Sequence, residues 1–463
     1  MLRQMRSELY DFKVTPICFL TGERTVTILP KNERLGFEPG RGYTVDVLEA
    51  SRSPEKRYPG SGAARRMTVV PDGDGALRVR AVFEREGMYL IKVYYDLEAK
   101  RLREFRVYAL ERDMKGLYPY RGDLHMHTCR SDGREDPFRV CANYRRAGYD
   151  FTIISDHNRY YPSLEARNRF QIGLDDRSPL TDMLILPGEE VHLPLNDAHY
   201  INCGGSFSVN GLVTPNKNQE YAGDDPAGRS LDGKCPPTMT KEEYEDMIRR
   251  LAKDEKRALE SERLSIAATR WIYEKVQEAD GLAIFPHPYW LCDTMQLSED
   301  FLYWFYEQKP FDAFEVLGGE IYYQHNGFQT AFYYENRARG LDYPVVGSTD
   351  SHGSTPKNPG AYICSTIIMA PENTTKAVKD AVKAKRSVAV DSISAEYRLV
   401  GDFRLVKLGS FLMENWYPIH DMACEAEGYL MDRWLDGDPA AAAALKALKG
   451  QVPGLIKEYF ETE

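Results

Sequence analysis

The chain has 463 residues, 43% of them hydrophobic and 28% charged, ordinary proportions for a soluble globular protein. At roughly 100–200 residues per domain, that length suggests two to four domains or one large barrel with additions. Sixty Lys and Arg against seventy Asp and Glu leave a formal net charge of -10, from which no nucleic-acid partner is expected, although a locally positive site remains compatible with it. No stretch of about 20 apolar residues occurs, so no membrane span is expected. Arg3, Arg6, Glu8, Asp11 and Lys13 interrupt the opening residues, so no signal-peptide core is expected either. Eight scattered cysteines without a CxxC pair exclude a disulfide framework or a Cys-rich zinc finger, and a reducing cytoplasm is the expected location.

Residues 1–115 read as all-β. Short alternating runs occur at Arg24–Leu29, Tyr43–Leu48, Leu77–Phe83, Met88–Tyr94 and Glu104–Tyr108, separated by turn-rich stretches such as Pro71-Asp72-Gly73-Asp74-Gly75. This spacing predicts a small β-sandwich with no catalytic constellation, because the stretch contains no histidine.

From 116 to 392 the pattern changes to an α/β one. Apolar runs at Gly122–Leu124, Phe151–Ile154, Met183–Leu186, Tyr200–Ile201, Leu282–Phe285, Ala313–Leu317 and Pro344–Val346 alternate with helical stretches near 137–148, 163–171, 241–278, 296–308 and 327–339. Continuous apolar runs suit strands buried on both faces, and the alternation predicts a parallel sheet, open or closed into a barrel. The segment 204–278 reads as an insertion beside the site. Its first part, 204–240, is loop-like and a candidate lid. A capping box then begins at Thr240 with Glu243, and Tyr244, Met247, Ile248 and Leu251 form a helical stripe suited to core contact. Residues 393–463 are expected to form a mostly helical extension, with Ala440–Ala444 in a terminal helix.

The histidines decide the functional reading. Six of nine stand at the ends of predicted strands: His125 and His127, His157, His199, His287 and His352. Carboxylates accompany them at Asp132, Asp156, Glu189, Glu190 and Asp350. In a βα barrel the C-terminal strand ends converge on one rim. Side chains two apart on a strand share a face, so His125 with His127, and Asp350 with His352, suit one cluster. Imidazole mixed with carboxylate suits zinc, manganese or iron. His192, two residues beyond Glu190, is placed to face the same site and carry a proton. His325 and His420 read as structural.

The order HxHTxxSDG from His125 to Gly133, then Ser155-Asp156-His157-Asn158, Pro187-Gly188-Glu189-Glu190, a single histidine, Phe285-Pro286-His287-Pro288 and Thr349-Asp350-Ser351-His352 resembles the PHP superfamily, named for polymerase and histidinol phosphatase. The likeness covers about 117–390. It implies a distorted seven-stranded βα barrel, here preceded by the β-sandwich and followed by the helical extension. It also implies two or three divalent cations held by nine ligands. One cation takes His125, His127, Glu190 and Asp350. A second shares Glu190 and adds His199 and His287. A third takes Asp132, His157 and His352. Glu190 rather than Glu189 matches the motif, and Glu189 is expected to point the other way. The opening Tyr118-Pro-Tyr-Arg-Gly-Asp and the β-domain ahead of it look like a branch that includes carbamate-ester hydrolases.

Three dications outweigh three carboxylates and a hydroxide, leaving about two positive charges and favouring an anionic substrate. The expected activity is hydrolysis of a small anionic phosphate ester by a metal-bridging hydroxide. Glu190 holds the bridged pair, and Asp350 and His192 are candidates for proton transfer. Arg134, Arg159 and Tyr160 are candidate substrate contacts, with Tyr161 as an alternative stacking residue and Trp290 as a candidate pocket lining. The alternatives are carboxyl- or carbamate-ester hydrolysis by the same cluster, or a catalytically silent binding or scaffold module.

Overall fold

A computed structural model of the protein describes residues 7–50, 65–95, 101–171, 180–257, 259–291, 294–319, 323–393 and 398–463. Arg3 and Arg6 of the opening segment lie outside these residues. The chain divides into two units. One comprises Met1–Tyr118, Val406–Ala423 and Gly450–Glu463, and the other Pro119–Leu405 and Cys424–Lys449. No helix among the described residues is long and apolar enough to cross a membrane.

The first unit holds two sheets. Phe12–Thr15, Gly22–Pro30 and Leu77–Phe83 form an antiparallel three-stranded sheet. The second runs Phe460–Glu461, Cys18–Leu20, Arg101–Leu110, Gly87–Tyr94, Tyr43–Glu49 and Arg65–Val69. Leu77–Phe83 alternates strictly between buried and exposed residues, and Gly87–Tyr94 between buried and half-buried ones. Period-2 burial of this kind gives each sheet one apolar face. The faces meet through Phe12 against Phe105 at 5.2 Å between ring centroids and Phe19 against Phe83 at 4.6 Å.

The second unit carries the βα alternation. Apart from a short parallel pair, Val213–Thr214 with Met239–Thr240, its strands are hydrogen bonded as two sheets rather than as the single closed seven-stranded barrel expected from the sequence. One sheet runs Leu184–Leu186, Phe151–Ile153, Tyr118–Asp123, Cys364–Ala370, Ser387–Asp391 and Arg398–Gly401. The other runs Gly188–Val191, Tyr200–Cys203, Leu282–Phe285, Ala313–Leu317 and Val345–Gly347. Two isolated bridges join them, Met126 with Ser351 and His157 with Glu190. A strand of the second sheet, Gly188–Val191, was not among the expected runs. Its two adjacent glutamates break the apolar pattern, yet all four residues are buried. Aromatic rings fill the core beneath this sheet, with Phe285 and Phe305 stacked at 4.0 Å.

The insertion differs from a mobile lid at its start. Phe207, Val209 and Leu212 are buried. Glu189, itself buried, accepts hydrogen bonds from the Ser208 hydroxyl (2.6 Å), the Val209 N–H and the Asn210 amide (3.1 Å), pinning the loop down. The expected continuous helix over 241–278 is interrupted, giving helices Lys241–Leu251 and Glu260–Glu278. The Thr240–Glu243 capping box opens the first of them. Tyr244 and Ile248 of its stripe are buried, but Leu251 is 47% exposed because the helix ends there. Ala440–Ala444 lie in helix Pro439–Leu448, which is followed by a further helix, Gln451–Tyr459.

Candidate metal centre

Backbone pairing zips the motif segments together. Asp350 N–H donates to His125 O (2.9 Å) and His127 N–H donates to Ser351 O (2.9 Å), so the HxH and DxH segments lie side by side. Asp123, fully buried beneath them, accepts from the N–H of Thr349 (3.0 Å) and of His125 (3.2 Å). Glu190 N–H donates to Ser155 O (3.1 Å) and Asn158 N–H to Glu190 O (3.0 Å), which sets His157 beside Glu190. Asp156 accepts from Thr128 N–H and hydroxyl at 2.9 and 2.7 Å and from Ser131 N–H at 3.1 Å, shaping the loop that carries Asp132. Strand Tyr200–Cys203 runs antiparallel to both of its neighbours. His199 therefore reaches the shared rim from the start of a strand, whereas His287 reaches it from the end of one. Asp350 (φ 51°), His287 (φ 26°) and Asn158 (φ 58°) adopt left-handed backbone at this rim, a conformation often found at working sites.

Glu190 is the hub. His157 Nδ1 lies 2.7 Å from Oε2, with His125 and His127 Nε2 at 3.5 Å. His199 Nδ1 lies 2.9 Å from Oε1, with His192 and His287 Nε2 at 3.3 and 3.4 Å. Asp350 Oδ1 is 2.9 Å from His127 Nε2 and 3.2 Å from His125 Nε2. Asp132 Oδ2, half-exposed, lies 3.4 Å from His157 Nε2 and 3.3 Å from His352 Nε2. All nine side chains assigned as ligands by resemblance thus converge, and His192 joins them.

Two observations test whether these residues fit cations. Glu190 is fully buried, yet neither of its oxygens has a hydrogen-bond partner, and the same holds for the buried Nδ1 of His127, His199 and His287. Orphaned buried polar atoms are costly, and two of them, Glu190 Oε1 and His199 Nδ1, lie 2.9 Å apart. Donor atoms also group closely: His127, Asp132, His157 and His352; His125, Glu190 and His287; His125, His127 and Asp350; and His157, Glu190 and His192 each lie within 4.8 Å of one another. The donor set is nitrogen-rich with carboxylate oxygen, which fits zinc, manganese or iron.

Burial and the buried carboxylates pull the cluster's imidazoles in opposite directions. Burial opposes ionisation of Glu190, but His157, His192, His199 and His125 outweigh it and hold the carboxyl well below the usual range. Burial, with His157 nearby, pulls His127 down to about 4. Burial, with His192 nearby, pulls His199 down to about 3. Both imidazoles are therefore neutral at pH 7, the form that offers a lone pair to a cation. Burial alone would also lower His157, but Glu190 and Asp132 push it up to about 10.

Other candidates fall differently. Tyr160 is corrected: it is fully buried, and its hydroxyl donates to Gly205 O at 2.6 Å, so it has no face for a substrate. Tyr161 stacks instead on Tyr221 at 4.7 Å. The Arg159 guanidinium donates to His157 O (3.1 Å) and to Glu220 (3.3 Å). Arg134 is exposed, and its N–H donates to His352 O (3.0 Å). Trp290 lies 6.2 Å from His287, ring to ring. His325 is buried with Nε2 2.9 Å from Gly318 O, and His420 is fully buried. The sequence reading missed Glu315, whose Oε2 lies 3.0 Å from His125 Nδ1. Its signal was available, since it is a lone acid inside the apolar run Ala313–Leu317.

No family model matches the chain, and no curated protein matches it. Solved structures do. A two-domain protein from Bacteroides vulgatus, described as containing a predicted PHP-like metal-dependent phosphoesterase, is 17% identical at a TM-score of 0.40, over 65% of this chain and 71% of its own. A Bifidobacterium adolescentis protein described as a metal-dependent phosphoesterase is 17% identical at a TM-score of 0.31, over 51% of this chain and 89% of its own. Endonuclease Q, in complex with a 27-mer duplex bearing an abasic lesion at its active site, is 12% identical at a TM-score of 0.33, over 57% of each chain. The duplex is Endonuclease Q's own, and for this chain the expectation that nucleic acid is no partner is withdrawn. The expectation rested on net charge, which averages the whole surface and says nothing about one cleft.

Proposed function

We propose that this chain is a PHP-type, metal-dependent hydrolase of phosphate esters. One observation carries the reading. Glu190 is fully buried without a hydrogen-bond partner, and six imidazole nitrogens lie 2.7–3.5 Å from its two oxygens. A carboxylate so placed is suited to bridging cations. By the family resemblance, these residues would hold two or three divalent ions, zinc, manganese or iron, with Glu190 serving two of them. When bound, such ions supply Lewis acidity, ionising water near neutral pH and offsetting charge that develops on oxygen.

The chain's own residues do the rest. Glu315 orients the His125 imidazole through Nδ1, and Asp350 lies against His127 Nε2. Asp156 holds the loop that presents Asp132 to His157 and His352. Glu189 fixes the strand of Glu190 by anchoring the loop at 208–210. Arg134, exposed and tied to His352 O through its backbone N–H, is the candidate cation for an anionic group.

The test is an assay of the purified, metal-supplemented full chain on phosphate monoesters, phosphodiesters including a DNA duplex, carboxyl esters and carbamates. Chelator-sensitive cleavage of a phosphate ester is expected. Inertness toward every phosphate ester would overturn the reading. Cleavage of uncharged esters in that case would identify the carboxyl- or carbamate-ester alternative, and metal binding without any turnover would identify a silent scaffold.

A further inference from the structure

We propose that His192 is a tenth metal ligand, completing a set of three imidazoles and one carboxylate on the Oε1 side of Glu190 that is selective for zinc. The inference rests on the metal-centre reading above and adds a donor to it.

Sequence geometry comes first. Glu190 and His192 are two apart at the end of strand Gly188–Val191, so their side chains share a face. The neighbouring strand is antiparallel, with Glu190 opposite Ile201 and Val191 opposite Tyr200. Continuing that register sets His192 opposite His199. Their rings stand 3.7 Å apart, centroid to centroid. Backbone bracing holds the pair in place. His192 N–H donates to Asn210 Oδ1 at 3.1 Å, and the amide of the buried Asn210 donates to Glu190 O at 3.0 Å.

Chemistry then decides what the pair does. His192 Nε2, His199 Nδ1 and His287 Nε2 lie 3.3, 2.9 and 3.4 Å from the single atom Glu190 Oε1. That oxygen accepts no hydrogen bond, and His199 Nδ1 has no partner. Two imidazoles pressed together gain little from one another, whereas a cation shared by both satisfies Glu190 Oε1 and His199 Nδ1 at once. Three nitrogens and one oxygen form a four-donor set suited to tetrahedral zinc. His192 Nε2 also lies 3.1 Å from His157 Nδ1, so a plain hydrogen bond between imidazoles is the competing role.

The experiment compares the full-length wild-type chain with His192→Ala and His192→Cys, reading zinc affinity by competition with a chromogenic chelator and, after cobalt substitution, the absorption spectrum. The inference expects His192→Ala to weaken one cation by at least about 100-fold, the upper end of what a residue merely orienting a ligand costs. It expects His192→Cys to show a new thiolate-to-cobalt charge-transfer band. Unchanged affinity in His192→Ala, or no new band in a cobalt-loaded His192→Cys, would overturn it. The cysteine spectrum decides alone where the alanine variant does not fold. A wild-type chain that takes up no zinc or cobalt would overturn the metal-centre reading itself, a result distinguishable from failure of this one ligand.

Discussion

His125 donates from Nδ1 to Glu315 Oε2 across 3.0 Å, and both side chains are fully buried. This contact commits the other nitrogen, Nε2, to the side of Glu190 and Asp350, fixing ring and tautomer together. Glu315→Ala leaves a buried N–H without an acceptor and is expected to lower metal affinity by about 10- to 100-fold. Glu315→Gln keeps an acceptor and is expected to recover most of that loss. Metal titration of both variants checks this, and equal affinity in wild type and Glu315→Ala would contradict it.

Glu190 and Asp350 differ in reach. Glu190 faces six imidazoles, whereas Asp350 lies closest to His125 and His127, with His287 at 3.9 Å. Glu190→Gln is therefore expected to weaken two cations together and to reduce turnover by at least about 100-fold, while Asp350→Asn weakens one. Metal counts on the two variants at equal free metal concentration separate these outcomes.

Much of this centre was legible because its ligands sit at strand ends in short, ordered motifs. Asp350 and His352, or His125 and His127, announce themselves by a spacing of two. The strand Gly188–Val191 did not, because a glutamate pair looks solvent-facing until its partners are known. Those partners, Ser208, Asn210 and the imidazoles, come from distant sequence. Gly188 shows the same dependence, since a Cβ there would meet Ile153 Cδ1 at 2.2 Å. Tyr160 misled for the opposite reason. It follows a motif directly, but its ring turns inward, and local order does not encode that direction. The two-sheet arrangement was equally hidden, because strand pairing is a long-range property that apolar runs do not specify.

The reassignment of Tyr160 has its own test. Tyr160→Phe removes the bond to Gly205 O and is expected to cost about 1 kcal/mol of stability with KM unchanged. Denaturant unfolding and steady-state kinetics read the two effects separately. A raised KM at unchanged stability would return Tyr160 to the substrate.

Burial pushes the Cys203 thiol from 9.0 up to about 12, against the pull of Lys379 and Lys383. Between those values the unfolded chain releases this proton and the folded chain retains it, so this group's contribution to stability falls as pH rises through that range. At pH 8 the folded protein is expected to leave Cys203 unalkylated while the exposed Cys129 reacts. Peptide mapping after brief iodoacetamide treatment checks this, and rapid labelling of Cys203 would contradict the buried placement.

The central claim is that these side chains cage divalent cations around Glu190. Elemental analysis of the full chain, loaded with zinc, manganese or iron and then dialysed, tests it most directly. Two or three cations per chain are predicted, with chelation abolishing hydrolysis and metal restoring it. Fewer than one cation per chain with all three metals, or hydrolysis indifferent to chelation, would contradict the account.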